Sequence, residues 1–215
     1  MSKEPSEIQV EFHFDFGSPN AYLSHRVIPE IEQRTGVKFR YIPVLIGGVF
    51  KATNNVSPMV ALEGIKNKAE YQQLETERFL RKHNISDYRR NPYFPINTLQ
   101  LMRGAIAAER LGFAADYIDA VFRAMWVDGL NMGQPEVVAE ALGALEAKKG
   151  APFSIQAVFE TSAEPEIKQQ LITNTENSVS RGNFGSPTFF VDKEMFFGKD
   201  KLPDVEDEIR RQLEE

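Results

Sequence analysis

The 215-residue sequence predicts an α/β fold carrying a large all-helical insertion, and three observations predict it. Ile8, Val10, Phe12, Phe14 and Phe16 recur at every second position, the period of a strand with one buried face. From about residue 57 to residue 179 only helical spacings and helix start and stop signals occur. Short apolar runs then return at Thr188–Val191 and Met195–Phe197, which is strand patterning. The chain therefore divides into an α/β unit built from residues 1–56 and 180–215 and a helical unit of residues 57–179.

After the first strand, Tyr22, Leu23, Val27, Ile28 and Ile31 recur at three- and four-residue spacing, one face of a helix. Ser18 is a favoured N-cap, and Pro19 sits where a missing N–H costs nothing, so the helix opens at Ser18 and stops at Thr35-Gly36. Val37, Phe39, Tyr41 and Pro43–Leu45 read as a second strand, parallel to the first because a helix connects them. Ile46–Pro58, rich in Gly and Asn, reads as a loop leaving the C-terminal end of that strand, the edge where open parallel sheets bind ligands. There Lys51, Asn54 and Asn55 offer a charge and amide hydrogen bonds to a polar ligand, or the asparagines serve turn geometry alone.

Met59 to Asn84 reads as one helix with Val60, Leu62, Ile65, Leu74, Phe79 and Leu80 on its apolar side. Arg89–Pro95 is a rigid aromatic connector, and Asn97 caps a helix Thr98–Leu111 that Gly112 ends. Ala114–Val127 forms the next helix and contains the only tryptophan, Trp126. Asp128-Gly129 breaks it, and Pro135–Lys149 follows with Gly150 as its stop. Glu166–Ser180 is helical, and a turn-rich segment then leads through Ser186-Pro187 into a buried strand, Thr188–Val191. Asp192–Glu194 makes a hairpin turn into Met195–Phe197, and a charged helix ends near Leu213.

Composition narrows the function. Thirty-one acidic residues against 25 basic ones give a net charge of −6, which argues against nucleic acid or an anionic membrane as a partner. No apolar run has the length of a membrane span and Met1–Glu7 lacks a signal-peptide core, so a cytoplasmic protein is expected. Cysteine is absent, which excludes disulfides, thiolate metal sites and a cysteine nucleophile; any thiol chemistry belongs to a ligand. His13, His25 and His83 lack ligand spacing, so no metal site is expected. A helix start carries unpaired N–H groups and partial positive charge, which suits an anion or a thiolate. Ser18 either caps that start and does nothing more, or caps it through oxygen while giving its hydrogen to a ligand.

The order β-α-β, helical insertion, α-β-β-α is the thioredoxin-like plan. The runs Phe14–Leu23, Phe184–Val191 and Phe197–Leu202 resemble the DsbA-like family, and within it 2-hydroxychromene-2-carboxylate isomerases and kappa-class glutathione transferases. The resemblance extends from about Val10 to Leu213 and implies glutathione as cofactor, a small aromatic or electrophilic substrate and a homodimer. It implies that Ser18 bonds the glutathione sulfur, that Lys51 and Asn55, with Asn54 as the adjacent alternative, come from the loop after the second strand, and that Ser186-Pro187 pairs by backbone with the cysteinyl part. Lys199 and Asp200 would receive the γ-glutamyl end, with Asp200 facing its amine. The implied reaction is isomerisation to trans-o-hydroxybenzylidenepyruvate by reversible addition of the thiolate, which a helix start and an O–H donor both favour over the thiol. A transferase or peroxidase using the same site, and a non-catalytic cysteine-less binding protein, are the competing readings. Trp126, Tyr93 and Phe94 either roof an aromatic substrate or pack in the core.

Overall fold

The computed structural model describes residues 3–150 and 154–214. Four strands form one mixed sheet in the order β2-β1-β3-β4. β1 (Val10–Phe14) runs parallel to β2 (Phe39–Pro43), with Val10 opposite Phe39 and Phe14 opposite Pro43. On its other side β1 pairs antiparallel with β3 (Thr188–Val191), Val10 opposite Val191, and β3 pairs antiparallel with β4 (Glu194–Phe197). α1 (Pro19–Thr35) connects β1 to β2 as a parallel pair requires, and Gly36, at φ 73°, closes it in the left-handed conformation.

Helices cover both faces of the sheet. Phe14 and Phe16 pack on Phe122 of α6 (Ala114–Trp126), while the opposite face meets α9 (Pro165–Ser180) through His13. Alternation in the first strand therefore does not separate core from solvent: His13, between Phe12 and Phe14, is as buried as they are.

Two expected elements are corrected. Ile46–Thr53 is not a loop but the helix α2, despite Gly47 and Gly48. Its start is held from outside: the Ile46 N–H donates to Asp15 Oδ2 at 2.8 Å and the Leu45 N–H to Thr175 Oγ1 of α9 at 3.0 Å. Gly48 admits α9 closely, since a Cβ there would lie 3.1 Å from Thr175 Cγ2. The expected single helix Met59–Asn84 is likewise two, α3 (Pro58–Ala61) and α4 (Lys68–Lys82), separated by turns in which Gly64 and Asn67 take positive φ. Of its apolar side only Phe79 is buried; Val60 is 61% exposed, Ile65 53% and Leu74 38%. Helical periodicity marks a face able to pack, and among the described residues only its Phe79–Leu80 end is covered.

The remaining helices are α5 (Leu99–Arg110), α7 (Pro135–Lys149), α8 (Ile155–Ser162) and α10 (Leu202–Glu214). The cap of α5 is Thr98 rather than Asn97, whose Oδ1 instead accepts the Leu99 N–H at 3.0 Å. The hydrophobic core is continuous from the sheet into the helical insertion: Phe16 meets Tyr117 and Phe122, and Trp126 donates its indole N–H to the Phe16 carbonyl at 2.9 Å. No helix of the described residues is long and apolar enough to cross a membrane.

Candidate active site at the start of helix 1

β1 ends at Phe14, and the turn Asp15–Gly17 delivers Ser18 to the N-cap of α1. Ser18 is nearly buried and its hydroxyl is fully engaged. The oxygen accepts the Ala21 N–H at 3.2 Å and donates its hydrogen to the Ser186 carbonyl at 2.9 Å. Both alternatives left open by the sequence begin from this arrangement: the cap is present, and the single O–H donor points at a backbone carbonyl of the loop before β3.

That loop is braced from beneath. Asn183 Oδ1 accepts the Gly185 N–H and the Thr188 hydroxyl, each at 2.8 Å, and its amide donates to Ser178 Oγ at 2.7 Å. Ser186-Pro187 is a cis peptide, and the Pro187 carbonyl accepts the Gly198 N–H at 2.9 Å. The Ser186 hydroxyl accepts the Asp15 N–H at 3.1 Å. Ser18, Ser186 and Pro187 are thus gathered at one sheet edge, and Asn55 joins them by donating its side-chain amide to the Phe184 carbonyl at 2.8 Å. Asn54 lies beside it in the left-handed conformation and ends α2.

The charged residues are placed differently. Lys51 is in the last turn of α2, exposed, with no hydrogen bond or ion pair among the described residues. The Lys199 side chain is buried, its ammonium 2.6 Å from Asp200 Oδ1 and 4.7 Å from the centre of the Phe79 ring. This places it between α4 and the 3-10 turn Lys199–Lys201, while Asp200 stays exposed. Trp126 is core and forms no roof; Tyr93 is exposed, and Phe94 packs half-buried on Trp126. Sequence reasoning passed over the exposed pair Phe184 and Phe197, whose rings lie 4.4 Å apart beside Asn55. It also passed over Asp15, although a carboxylate between two phenylalanines was a readable signal. Burial pushes the Asp15 pKa up against the opposing effect of its hydrogen bonds.

This edge also presents unused polar groups. Among the described residues the N–H groups of Asn20, in the first turn of α1, and of Ser186 meet no acceptor. Beside them lie the Ser18 hydroxyl and the Ser186 carbonyl, bonded to each other at 2.9 Å. Two open clefts of about 550 and 380 Å³ lie elsewhere, one at the β3–β4 turn and α10, the other between β2, α5 and α9, and neither includes these residues.

This edge, a helix start facing a cis-proline loop on a four-stranded mixed sheet, defines a thioredoxin-type protein. The chain belongs to the DSBA-like thioredoxin domain family, whose model matches residues 9–210. It is 28% identical over 198 residues to the 2-hydroxychromene-2-carboxylate isomerase of Pseudomonas putida, covering 90% of each chain. A solved structure of 2-hydroxychromene-2-carboxylate isomerase superposes with a TM-score of 0.77 at 25% identity, covering 94% of both chains. The chain is also 24% identical over 222 residues to glutathione S-transferase kappa 1 of Caenorhabditis elegans, covering 96% of this chain and 93% of that one.

Proposed function

We propose that the protein is a homodimeric, cytoplasmic, glutathione-dependent isomerase that converts 2-hydroxychromene-2-carboxylate to trans-o-hydroxybenzylidenepyruvate. The observation that carries the reading is the Ser18 hydroxyl, held at a helix start in a cysteine-free chain and 2.9 Å from the Ser186 carbonyl. Glutathione, when bound, supplies the nucleophilic sulfur that the chain lacks. The Ser186 N–H and carbonyl would hold its backbone, and Asn55, Lys51 and Asp200 its polar ends. Ser18 has one hydrogen to give, now on the Ser186 carbonyl. Ser18 would turn that hydrogen to the sulfur, where it and the Asn20 N–H would favour the charged form. Phe184 and Phe197 would provide the apolar wall for an aromatic substrate. The kappa transferase among the relatives supports a second reading, transfer of glutathione to other electrophiles at the same site.

Calorimetric titration with reduced glutathione and with S-methylglutathione, followed by a chromene conversion assay, tests the proposal. Binding that weakens on S-methylation, with glutathione-dependent conversion, is the expected result; no binding at several millimolar, on the order of the weakest specific complexes, overturns it. Ser18→Ala should lower turnover about 100-fold with the fold intact. Wild-type turnover in that variant would reduce Ser18 to a cap.

A further inference from the structure

We infer that Asp15 is the positioning residue of this site: its carboxylate holds the start of α1 and the start of α2 at the spacing a single cysteine-containing peptide needs to reach both. This role rests on the glutathione reading above. Asp15 has no solvent exposure. Its Oδ1 accepts the Gly17 N–H at 2.8 Å and the Thr98 hydroxyl at 2.7 Å, and its Oδ2 accepts the Ile46 N–H at 2.8 Å. Its backbone N–H donates to Ser186 Oγ at 3.1 Å, and its carbonyl accepts the Ser18 N–H at 3.0 Å. One residue thereby binds the turn before Ser18, the first free N–H of α2, the cap of α5 and the cis-proline loop.

Capping α2 alone would need one acceptor, which a neutral serine, threonine or asparagine supplies without the desolvation cost of a buried carboxylate. Here the second oxygen goes instead to Gly17, the residue before Ser18. Gly17 leaves little freedom in that grip, since a Cβ on it would lie 3.2 Å from Asp15 Oδ1 and 3.3 Å from Thr98 Cγ2. Ser18 and Ser186 stand on one side of the carboxylate, while Lys51 lies in the helix it caps and Asn54 and Asn55 follow that helix's end. The groups that face it are all neutral: two backbone N–H groups and the Thr98 hydroxyl on the carboxylate, and Ser186 on its backbone. Backbone N–H groups cannot accept. An isosteric amide must therefore turn its own N–H against either Gly17 or Ile46 and lose one of the two grips.

The experiment compares wild type, Asp15→Asn, Thr98→Val and Thr98→Ser, after circular dichroism establishes that each is folded. Each is titrated with glutathione and S-methylglutathione, and kcat and KM for glutathione are measured with the chromene substrate. Asp15→Asn should bind both ligands about tenfold more weakly, because the spacing serves the peptide and not the sulfur, with KM raised in proportion and kcat changed less than about threefold. Thr98→Val should shift binding about threefold in the same direction, and Thr98→Ser should restore it. A folded Asp15→Asn with wild-type KM overturns the positioning role, as does a Thr98→Val loss that serine does not restore. Should Asp15→Asn not fold, the two Thr98 variants decide. A wild-type protein that binds neither ligand instead overturns the glutathione reading and the positioning role with it.

Discussion

His13 illustrates how a buried polar side chain acquires a defined state from its partners. Asn183 Oδ1 is taken by two donors, so its amide must donate to Ser178 Oγ, and the Ser178 hydrogen is then free for His13 Nδ1 at 2.7 Å. With Nδ1 as acceptor, the imidazole N–H sits on Nε2, 3.3 Å from Glu11 Oε2. The hydrogen bond from His13, with Arg181 adding to it, holds the Glu11 carboxyl down to about 2, and burial lowers the pKa of His13. In both cases the folded pKa is below the unfolded one. Stability is therefore complete above the ordinary histidine value of 6.5 and declines as pH falls, first through His13 and then from 4.5 toward 2 through Glu11. Denaturant titrations across this range should show both phases, and Glu11→Gln should remove the lower one. Ser178→Ala leaves His13 Nδ1 and the Asn183 amide unpaired and should cost about 2 kcal/mol in the same titrations. No sequence rule pairs residues 13 and 178, because their separation carries no period; Ser18, whose cap bond reaches only Ala21, was legible at once.

Among the elements, those read correctly hold their own start and stop. α1 has Ser18, Pro19 and Gly36; α7 has Pro135 and Gly150. α2 has neither a favoured N-cap nor an apolar stripe of useful length, and its start is held because Asp15 and Thr175 accept its first N–H groups. The close crossing of α5 and α6 makes a sharper demand. A Cβ on Gly104 would lie 2.0 Å from the Tyr117 hydroxyl and 2.6 Å from its Cζ. Gly104→Ala should therefore destabilise the protein by about 3 kcal/mol in denaturant titration, beyond any gain in helix propensity. Adding Tyr117→Phe should recover only part of that loss, since the ring carbon remains too close.

For the molecule as a whole, the position of Trp126 matters most. It belongs to the helical insertion, yet its indole N–H holds the Phe16 carbonyl, two residues before Ser18, and its own carbonyl accepts the Arg89 N–H at 2.7 Å. With a core that continues from the sheet through Phe16, Tyr117 and Phe122, the insertion and the α/β unit should unfold together. Trp126 fluorescence and far-ultraviolet circular dichroism should then report coincident denaturation curves. Two separated transitions would show that residues 57–179 form an independent folding unit.

The strand periods, the caps of α1 and α7, the cysteine-free composition and the three family motifs were readable from the chain, because each is carried by residues a few positions apart. The β-α-β start, the return of β3 and β4 and the family they define follow from such local signals. Tertiary structure alone decided that α2 is helical, that Lys199 turns into the protein toward Phe79, that the apolar side of α4 is largely exposed, and that Asp15 joins four segments. The bonds of Asp15 to Ile46, Thr98 and Ser186 span 31, 83 and 171 residues. Contacts at such separations depend on how complete elements pack, and a buried polar group takes whichever partner that packing brings within hydrogen-bond reach.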